Sequence, residues 1–443
     1  MEKSDRAGFA MFFVACLFLA FIGGTLVVLA KVFPYEYLND AYKAGRALIA
    51  QEAITDRYTQ TDQWRRARTP ARGVTINDGD RAYNGYTLYT SGGGTYAALI
   101  DMQGKEVHRW SLPYDQLWDQ TPDGRSARPD DLMYWRKAVM YPNGDLLAIY
   151  IAAGDTPWGY GMVKLNADSK VLWKYHGATH HDIDIAPDGR VIALTHAFVD
   201  TQFPEFPNLS KPWLEDYLVV LNGETGAEER RIPLFEALFN SRYQALATAI
   251  PVWAMEDPLH TNSVQFIDQR LADAFPPAAG RANQVMLSMR HPGIATLVDL
   301  DSGQVNWAMK GSWLGQHFAR VLPNGHFTLF DNFGHFREHN MTRVIEVDPR
   351  DERIVWQYRG NDEHPFESLL RGAATTLPNG NRLITESDGG RLFEVAQDGT
   401  IVWEFVNPVR GGDQDQFIPV VSSGQRMPAD QMSREFRSRI ESP

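Results

Sequence analysis

The sequence contains a single cysteine, Cys16, among its 443 residues. This cysteine lies in an apolar run near the N-terminus, so the rest of the chain can form no internal disulfide. The same shortage leaves no thiolate ligands for a zinc site and no catalytic thiol beyond that run. Thiol chemistry and a disulfide-stabilised scaffold are therefore excluded for the main body of the protein.

Positive charge is also scarce. The chain has 43 lysines and arginines against 55 acidic residues, which gives a formal net charge of -12. We find no basic stripe with interleaved aromatic residues of the kind that binds nucleic acid. Gly-x-Ser-x-Gly and His-Glu-x-x-His patterns are absent, and the glycine-rich turn at 91–94 lacks the lysine of a phosphate-binding loop. We predict no nucleic acid partner and no cofactor.

The longest uncharged run of the sequence covers residues 8–30. As a helix, this run can cross about 30 Å of hydrocarbon. A cleaved secretory signal would have a shorter apolar region and a small-residue cleavage site. Lys3 and Arg6 precede the run, which favours a cytoplasmic N-terminus. We predict a cytoplasmic segment at 1–7, a transmembrane signal anchor at 8–31 and an extracytoplasmic body.

Two segments flank the body. Apolar residues recur at helical spacing through residues 35–68, at Leu38, Tyr42, Ile49 and Ala53. This spacing predicts a helix, which would serve either as a contact for a membrane partner or a second copy of the chain, or as a spacer. Together with the polar linker that follows, it makes residues 32–80 a juxtamembrane region. Residues 426–443 are expected to form a polar C-terminal tail.

One short pattern recurs between these segments. A strand leads into a turn that ends in Asn-Gly or Asp-Gly, and a second strand returns, because these dipeptides supply the positive φ angles of a tight hairpin. The turns are Pro142-Asn143-Gly144, Pro187-Asp188-Gly189, Pro323-Asn324-Gly325 and Pro378-Asn379-Gly380. Six outer strands follow along the chain, and most of them contain a tryptophan. A four-stranded unit repeated about every 40 to 60 residues is typical of a β-propeller. We predict an all-β, six-bladed β-propeller at residues 81–425.

One position of the repeat carries unusual residues. The residue eight positions before the turn glycine opens the inner strand, and it is Arg136, His181, His317 or Gly372, the last preceded by Arg371. Inner strands of a propeller begin beside its central channel, so we expect these side chains to converge at one channel mouth. His180 competes with His181 for this position, and the spacing to the turn glycine favours His181.

His260 belongs to the same set, although an insertion at 267–281 replaces the turn of its hairpin. The partner strand ends at Arg290. Because hairpin partners run antiparallel, Arg290 should lie beside His260.

Three histidines and an arginine at one mouth allow three interpretations. They could bind a metal, hold and transfer a tetrahedral oxyanion, or line the channel of a binding propeller. Arg290 would repel Zn²⁺, which disfavours a metal. An arginine fork binds oxyanions, and imidazoles can act as acid, base or nucleophile, so the residue types favour oxyanion transfer. His335 and His339 lie four apart in a predicted loop and are not expected to be ligands.

Several motifs spread over residues 86–405 carry a family resemblance. They are Leu259-His260-Thr261-Asn262-Ser263, Leu287-Ser288-Met289-Arg290-His291, Gln316-His317, Leu322-Pro323-Asn324-Gly325 and Phe330-Asp331-Asn332. In this order they resemble the bacterial arylsulfate sulfotransferase family of six-bladed, sulfuryl-transferring propellers. The better-known members are soluble periplasmic enzymes with an added N-terminal β-rich domain and a disulfide. This chain instead has an apolar helix and no cysteine in its body.

The resemblance implies a two-step exchange that needs neither PAPS nor a metal. His317 would attack the sulfur of an aryl sulfate, form a sulfohistidine, and pass the group to a phenolic or other hydroxyl acceptor. By the same resemblance, His181, His260, Asn262 and Arg290 would hold the sulfuryl oxygens and neutralise the charge that builds on them. Arg136 and Arg371, which the repeat places at the same mouth, are expected to bind the substrate. The predicted anchor and the bacterial family that the chain resembles together imply a single-pass inner-membrane protein with its catalytic domain in the periplasm. The alternative is a non-catalytic propeller that binds a glycan, lipid or protein beside the membrane, and transfer to water is a third possibility.

Overall fold

The structure, a computed structural model, describes residues 3–35, 37–38, 41, 56–334 and 340–441. The chain divides into two compact units, Met1–Thr55 and Asp56–Pro443, and each is described by itself. Much of the helix expected at 35–68 lies outside the described residues, as do His335 and His339.

The first unit contains one long α-helix among its described residues, Lys3–Ala30. Its segment Met11–Ala30 has a mean hydropathy of 2.7 and none of it is buried. By length and composition this segment is able to cross a membrane, as the sequence predicted.

The second unit is a six-bladed β-propeller, which confirms the predicted fold. Its sheets are antiparallel, with four strands in each of blades 1 to 5 and five in blade 6. Blade 1 is built from Val421–Met427, Tyr86–Ser91, Tyr96–Ile100 and Glu106–Ser111. Blade 2 is built from Met133–Met140, Leu146–Ala152, Gly159–Leu165 and Val171–Tyr175. Blade 3 is built from Thr179–Ile185, Val191–Val199, Trp213–Leu221 and Glu228–Pro233.

The remaining blades follow in the same way, from the inner to the outer strand. Blade 4 is built from Thr261–Ile267, Gln284–Met289, Ile294–Asp299 and Val305–Lys310. Blade 5 is built from His317–Val321, Phe327–Asp331, Arg343–Val347 and Ile354–Arg359. Blade 6 is built from Ala373–Thr376, Arg382–Glu386, Arg391–Val395, Ile401–Val406 and Gly73–Asn77. Short α-helices lie before the blades at Arg57–Gln60, between blades 3 and 4 at Leu234–Phe239, within blade 4 at Gln269–Ala274 and after the last strand at Arg434–Glu441.

Both ends of the second unit close the ring. The C-terminal strand Val421–Met427 pairs with Tyr86–Ser91 as the inner strand of blade 1, while Gly73–Asn77 adds a fifth strand to blade 6. The propeller therefore extends past the expected limits of 81–425, and part of the expected tail is an inner strand. Neither closing strand carries the repeated turn motif, so periodicity did not reveal them.

The segment before the propeller also differs from the expected long helix. The described residues 35, 37, 38 and 41 are helical, but within 56–68 the only helical turn is Arg57–Gln60, and the chain then forms the strand Trp64–Arg66. This strand pairs with Phe417–Pro419, and Trp64 is buried. Backbone pairing and burial of the indole outweigh the helical spacing of the local sequence.

The outer-strand tryptophans join neighbouring blades, as expected for blade packing. The indole Nε1 of Trp110 in blade 1 donates to the Gly144 carbonyl in the hairpin turn of blade 2, at 3.0 Å. Trp403 in blade 6 donates in the same way to the Met102 carbonyl of blade 1, also at 3.0 Å. Because each bond spans two blades, it helps to keep the inner strands in register around the channel.

Candidate functional site

A β-bulge interrupts the inner strands of blades 2 to 5 near their beginnings. The register shifts lie between Trp135 and Lys137, His180 and Ile183, Thr261 and Ser263, and His317 and Arg320. His181, His260 and Phe318 have left-handed φ angles of 56°, 48° and 57°. Such angles are costly for residues other than glycine and are often found at functional sites. A bulge re-aims the side chains beside it, so the repeated position becomes a ring of polar groups.

These groups surround a cavity of about 250 Å³ at the channel mouth. Its lining includes Arg136, Trp158, His181, His260, Arg290 and Arg371. Five of the seven predicted site residues therefore share one cavity, while Asn262 and His317 are not part of its lining. The imidazole centroids of His317 and His181 are 6.5 Å apart.

The imidazole of His317 is held in one tautomer. It is 1% exposed, and its Nδ1 lies 2.8 Å from Oδ1 of Asn332. The Asn332 amide is itself fixed, because its Nδ2 donates to the backbone carbonyls of Ser368 and Arg371, at 2.6 and 3.0 Å. Its Oδ1 must therefore accept, so Nδ1 of His317 carries the proton and Nε2 carries the lone pair.

The lone pair of His317 is available for chemistry. Among the described residues, its buried Nε2 has no hydrogen-bond partner. Burial, with the guanidinium of Arg290 nearby, holds the pKa of His317 well below its usual value. The ring is therefore neutral, and Nε2 has the electronic state that a nucleophile needs.

His260 and Arg290 lie side by side, which confirms the predicted hairpin geometry. The backbone N–H of Arg290 donates to the carbonyl of His260 at 3.2 Å. Nδ1 of His260 donates to the carboxylate of Asp257. Burial alone would raise the pKa of Asp257, but the neighbouring His260 lowers it below its usual value. The ring of His260 also lies 5.3 Å from that of Trp158, between the centroids. Asp257 and Trp158 were not predicted from the sequence.

The cavity carries positive charge that is only partly balanced. Among the described residues, Arg136 and Arg290 form no ion pair with a carboxylate, and Nη1 of Arg136 donates to the Ser422 carbonyl at 2.7 Å. Burial, with Arg371 nearby, lowers the pKa of Arg136 to about 10, and burial also lowers the pKa of Arg290. Both therefore stay charged at neutral pH. Two cations at one cavity, Arg136 buried and Arg290 half-buried, favour an anionic ligand.

Arg371 is placed at the cavity as predicted, but its charge is already balanced. Its guanidinium contacts the carboxylate of Asp62 and donates to the Tyr134 hydroxyl at 2.9 Å. Although burial alone would lower it, the pKa of Arg371 is raised because Asp62 lies against it. Asp62 comes from the segment before the propeller, outside the repeats, so the sequence pattern gave no sign of this contact.

Asn262 supports the strand that carries His317. Its Nδ2 donates to the carbonyl of Gln316 at 2.8 Å. Its Oδ1 is buried and makes no hydrogen bond within the described parts of the chain. In this structure Asn262 therefore links blade 4 to blade 5 directly beside His317.

Two groups of histidine and aspartate side chains have spacing suited to a metal ion. They are His180 with His196 and Asp216, and His260 with Asp257 and His291, and in each group the candidate ligand atoms lie within 4.8 Å of one another. The Gly159 N–H donates to Nε2 of His196 at 3.2 Å, so that ring carries its proton on Nδ1. Nδ1 of His291 lies 2.6 Å from the Asp257 carbonyl and donates to it, as His260 donates to the carboxylate. The second group is a hydrogen-bonded cluster, and each member of the first is hydrogen-bonded to a residue outside it, His180 to His181, His196 to Gly159 and Asp216 to Thr261, so we assign no metal to either.

We predict that the buried neutral histidines make the fold less stable in acid. Burial holds the pKa of His196 well below its ordinary value, as it does for His181 and His317. Below about pH 6.5 the unfolded chain binds protons that the folded chain does not, so stability falls as pH decreases, by about 1.4 kcal/mol per pH unit for each such group. Buried Glu215, whose pKa is raised, works in the opposite direction.

His196→Gln isolates one of these contributions, because the glutamine oxygen can still accept the Gly159 N–H. Unfolding free energies measured from about pH 6.5 to 5 should show a slope smaller by about 1.4 kcal/mol per pH unit in the variant. Equal slopes in the two proteins would contradict the neutral buried state of His196.

Comparison with known proteins gives a family. A family model described as Arylsulfotransferase (ASST) matches residues 137–408. A protein of unknown function from Bacteroides caccae has a similar structure, with 14% identity, a TM-score of 0.48, and coverage of 76% of this chain and 99% of that one. A virginiamycin B lyase from Staphylococcus aureus is also similar, with 9% identity, a TM-score of 0.39, and coverage of 78% and 87%. No curated protein matches the chain.

Proposed function

We propose that this chain, which belongs to the arylsulfotransferase (ASST) family, transfers a sulfuryl group from an aryl sulfate to a phenolic or other hydroxyl acceptor. The observation that carries the proposal is the pairing of a neutral His317, with a free Nε2, and a cavity lined by two unbalanced guanidinium groups. An aryl sulfate monoester is an anion whose sulfur accepts a nucleophile, so both features suit it. A covalent route divides one difficult transfer into two easier steps.

In the first step, Nε2 of His317 forms a bond to sulfur while the bond from sulfur to the aryl oxygen breaks. The electron pair of that bond leaves with the phenolate, which then takes up a proton. Nδ1–H of His317 keeps its bond to Asn332, so the positive charge that develops on the ring is stabilised by the amide oxygen. The product is a sulfohistidine.

In the second step, the acceptor oxygen attacks the same sulfur, and the bond from sulfur to Nε2 breaks. The acceptor loses its proton, which balances the one given to the phenolate. Arg290 and Arg136 face the three sulfuryl oxygens in both steps, and their positive charge stabilises the negative charge on these oxygens in the transition state. His260, held by Asp257, contributes a second imidazole at the same mouth.

We expect the asparagine behind His317 to be important for the rate. Asn332→Leu removes the amide oxygen that accepts Nδ1–H and leaves only the Gly315 carbonyl, 3.1 Å from Nδ1, so the positive charge that develops on the ring is less well stabilised. The kcat/KM for the donor should fall by about 10²-fold, the order of effect of an oriented catalytic group. A change of less than about threefold in a folded variant would contradict this role.

The orientation of the protein in the membrane is part of the proposal. The helix Lys3–Ala30 would anchor the chain, and the basic residues before its apolar part favour a cytoplasmic N-terminus. The propeller would then act on the periplasmic side. Protease added outside intact spheroplasts should digest the propeller, and complete protection would place it in the cytoplasm.

The direct test uses the purified full-length protein with 4-nitrophenyl sulfate, with and without phenol. The proposal expects release of nitrophenolate that rises with phenol, together with formation of phenyl sulfate. Nitrophenolate release that does not change when phenol is added would identify a hydrolase instead. No release over a panel of aryl sulfates, from folded protein, would favour a binding propeller.

A further inference from the structure

A chain of buried side chains leads from the cavity into the protein behind His181. Nδ1 of His181, which lines the cavity, lies 2.7 Å from Nδ1 of His180. Nε2 of His180 lies 3.4 Å from Oδ1 of Asp216. His180 and Asp216 are 0% and 2% exposed. The two transfer steps described above use neither residue.

The contact between the two imidazoles limits where protons can be. Two Nδ1 atoms at 2.7 Å share one proton, because one must donate and the other accept. When both rings are neutral, the second proton lies on an outer nitrogen, either Nε2 of His180 or Nε2 of His181. The carboxylate of Asp216 favours it on His180. His181 then donates Nδ1–H to His180 and presents its Nε2 lone pair to the cavity.

Neighbouring groups hold this chain in place. Oδ2 of Asp216 accepts the backbone N–H of Thr261 at 2.6 Å, so the carboxylate is fixed to the strand that begins beside His260. His196 packs on His180, with ring centroids 4.4 Å apart. The carboxylate of Asp216 therefore lies where blades 3 and 4 are hydrogen-bonded to each other.

Burial and nearby groups disfavour an extra proton on His181 in the empty cavity. After burial, the groups that lower the pKa of His181 are His180, His260, the guanidinium of Arg136 and His317. Asp216 is the anion at the other end of the chain, and a sulfate ester bound in the cavity would add a second one. Bound substrate thus favours a third proton on the pair, so that each outer nitrogen carries one.

We propose that His180 and Asp216 are positioning residues that make His181 the proton carrier of the sulfuryl transfer, an inference that rests on the proposed function. In the first step, Nε2–H of His181 gives its proton to the departing phenolate, and the pair becomes neutral. In the second step, the same nitrogen takes the proton of the acceptor hydroxyl as the acceptor oxygen bonds to sulfur. The proton count of the pair is restored after each cycle, and no further reactant is needed.

This assignment predicts a dependence on the leaving group. Phenolate is a strong base, since its conjugate acid has a pKa of about 10, and it needs a proton as it departs. The 4-nitrophenolate ion is much less basic and can leave without one. Loss of the proton carrier should therefore slow phenyl sulfate far more than 4-nitrophenyl sulfate.

The variants are Asp216→Asn and His180→Asn. Asp216→Asn removes the negative charge, while its amide oxygen can still accept the Thr261 N–H. His180→Asn can still accept Nδ1–H of His181, but it removes the imidazole that connects His181 to Asp216. The measurement is kcat/KM for each donor at saturating acceptor, which reports the steps up to phenol release. We expect a fall of about 10²-fold or more with phenyl sulfate, and of less than about threefold with 4-nitrophenyl sulfate.

His196→Gln is the matched control, because it alters a buried histidine of the same cluster outside the chain of protons. Any loss in this variant should be equal for the two donors. Equal losses for the two donors in both Asp216→Asn and His180→Asn, or no loss in either, would overturn the inference and leave the transfer reaction standing. A wild-type protein that transfers from neither donor would instead overturn the proposed function, and the inference with it.

Discussion

Replacing His317 by asparagine is expected to reduce sulfuryl transfer by about 10⁴-fold or more, the order of loss when a covalent nucleophile is removed. The asparagine amide can still hydrogen-bond to Asn332, so the fold around the site should be retained. It offers no lone pair where Nε2 of His317 lies, and no sulfohistidine can form. With an aryl sulfate and no acceptor, the wild-type protein should gain the mass of one SO₃ group on the peptide that contains His317.

The matched control is His326→Asn, in the hairpin of the same blade. Nδ1 of His326 lies 2.8 Å from the carboxylate of Glu346, away from the cavity lining. This variant should keep transfer and the mass increase. Persistence of either in His317→Asn would assign the nucleophile to another residue.

Removing the charge of Arg290 is expected to have the second largest effect. Its guanidinium lines the cavity, its buried Nε has no hydrogen-bond partner in the described residues, and it cannot lose its proton at neutral pH. Arg290→Met should lower kcat and kcat/KM together by about 10³-fold, because the lost interaction is strongest in the transition state. Arg290→Lys should recover only part of the rate, since a point charge does not reproduce the planar fork.

Arg281 offers a control near the opposite end of the same strand. Its side chain is exposed, and Arg281→Met should leave both constants within about twofold. An increase in KM with unchanged kcat in Arg290→Met would show that Arg290 contributes only to uniform substrate binding.

The sequence predicted a large part of the site because the repeat carries one geometrical position. Arg136, His181 and His317 share a spacing to their turn glycines, and the structure places a bulge at or next to each of them. The neighbour relation of Arg290 and His260 followed from antiparallel pairing alone. Such predictions succeed where local hydrogen bonding decides the geometry.

Other parts of the site come from outside the inner strands. Asp62 precedes the propeller, and Asp257 lies in the segment that connects blade 3 to blade 4. Asp216 lies on the third strand of blade 3, in a segment that reads only as a buried strand. Asn332 belongs to the family motif Phe330-Asp331-Asn332. Its role as the acceptor for Nδ1–H of His317 depends on the carbonyls of Ser368 and Arg371, which come from the segment that leads into the next blade.

The sequence by itself determined the repeated strand and turn, the apolar N-terminal helix and the set of polar residues at the channel. These features depend on side-chain periodicity and on the φ angles that turns require, and both are local. Only the tertiary structure decided which strands close the propeller, which arginine is paired with a carboxylate, and which tautomer each buried histidine adopts. Those outcomes depend on contacts between residues far apart in the chain, because the charge and proton position of a buried group are set by the atoms around it in the folded protein.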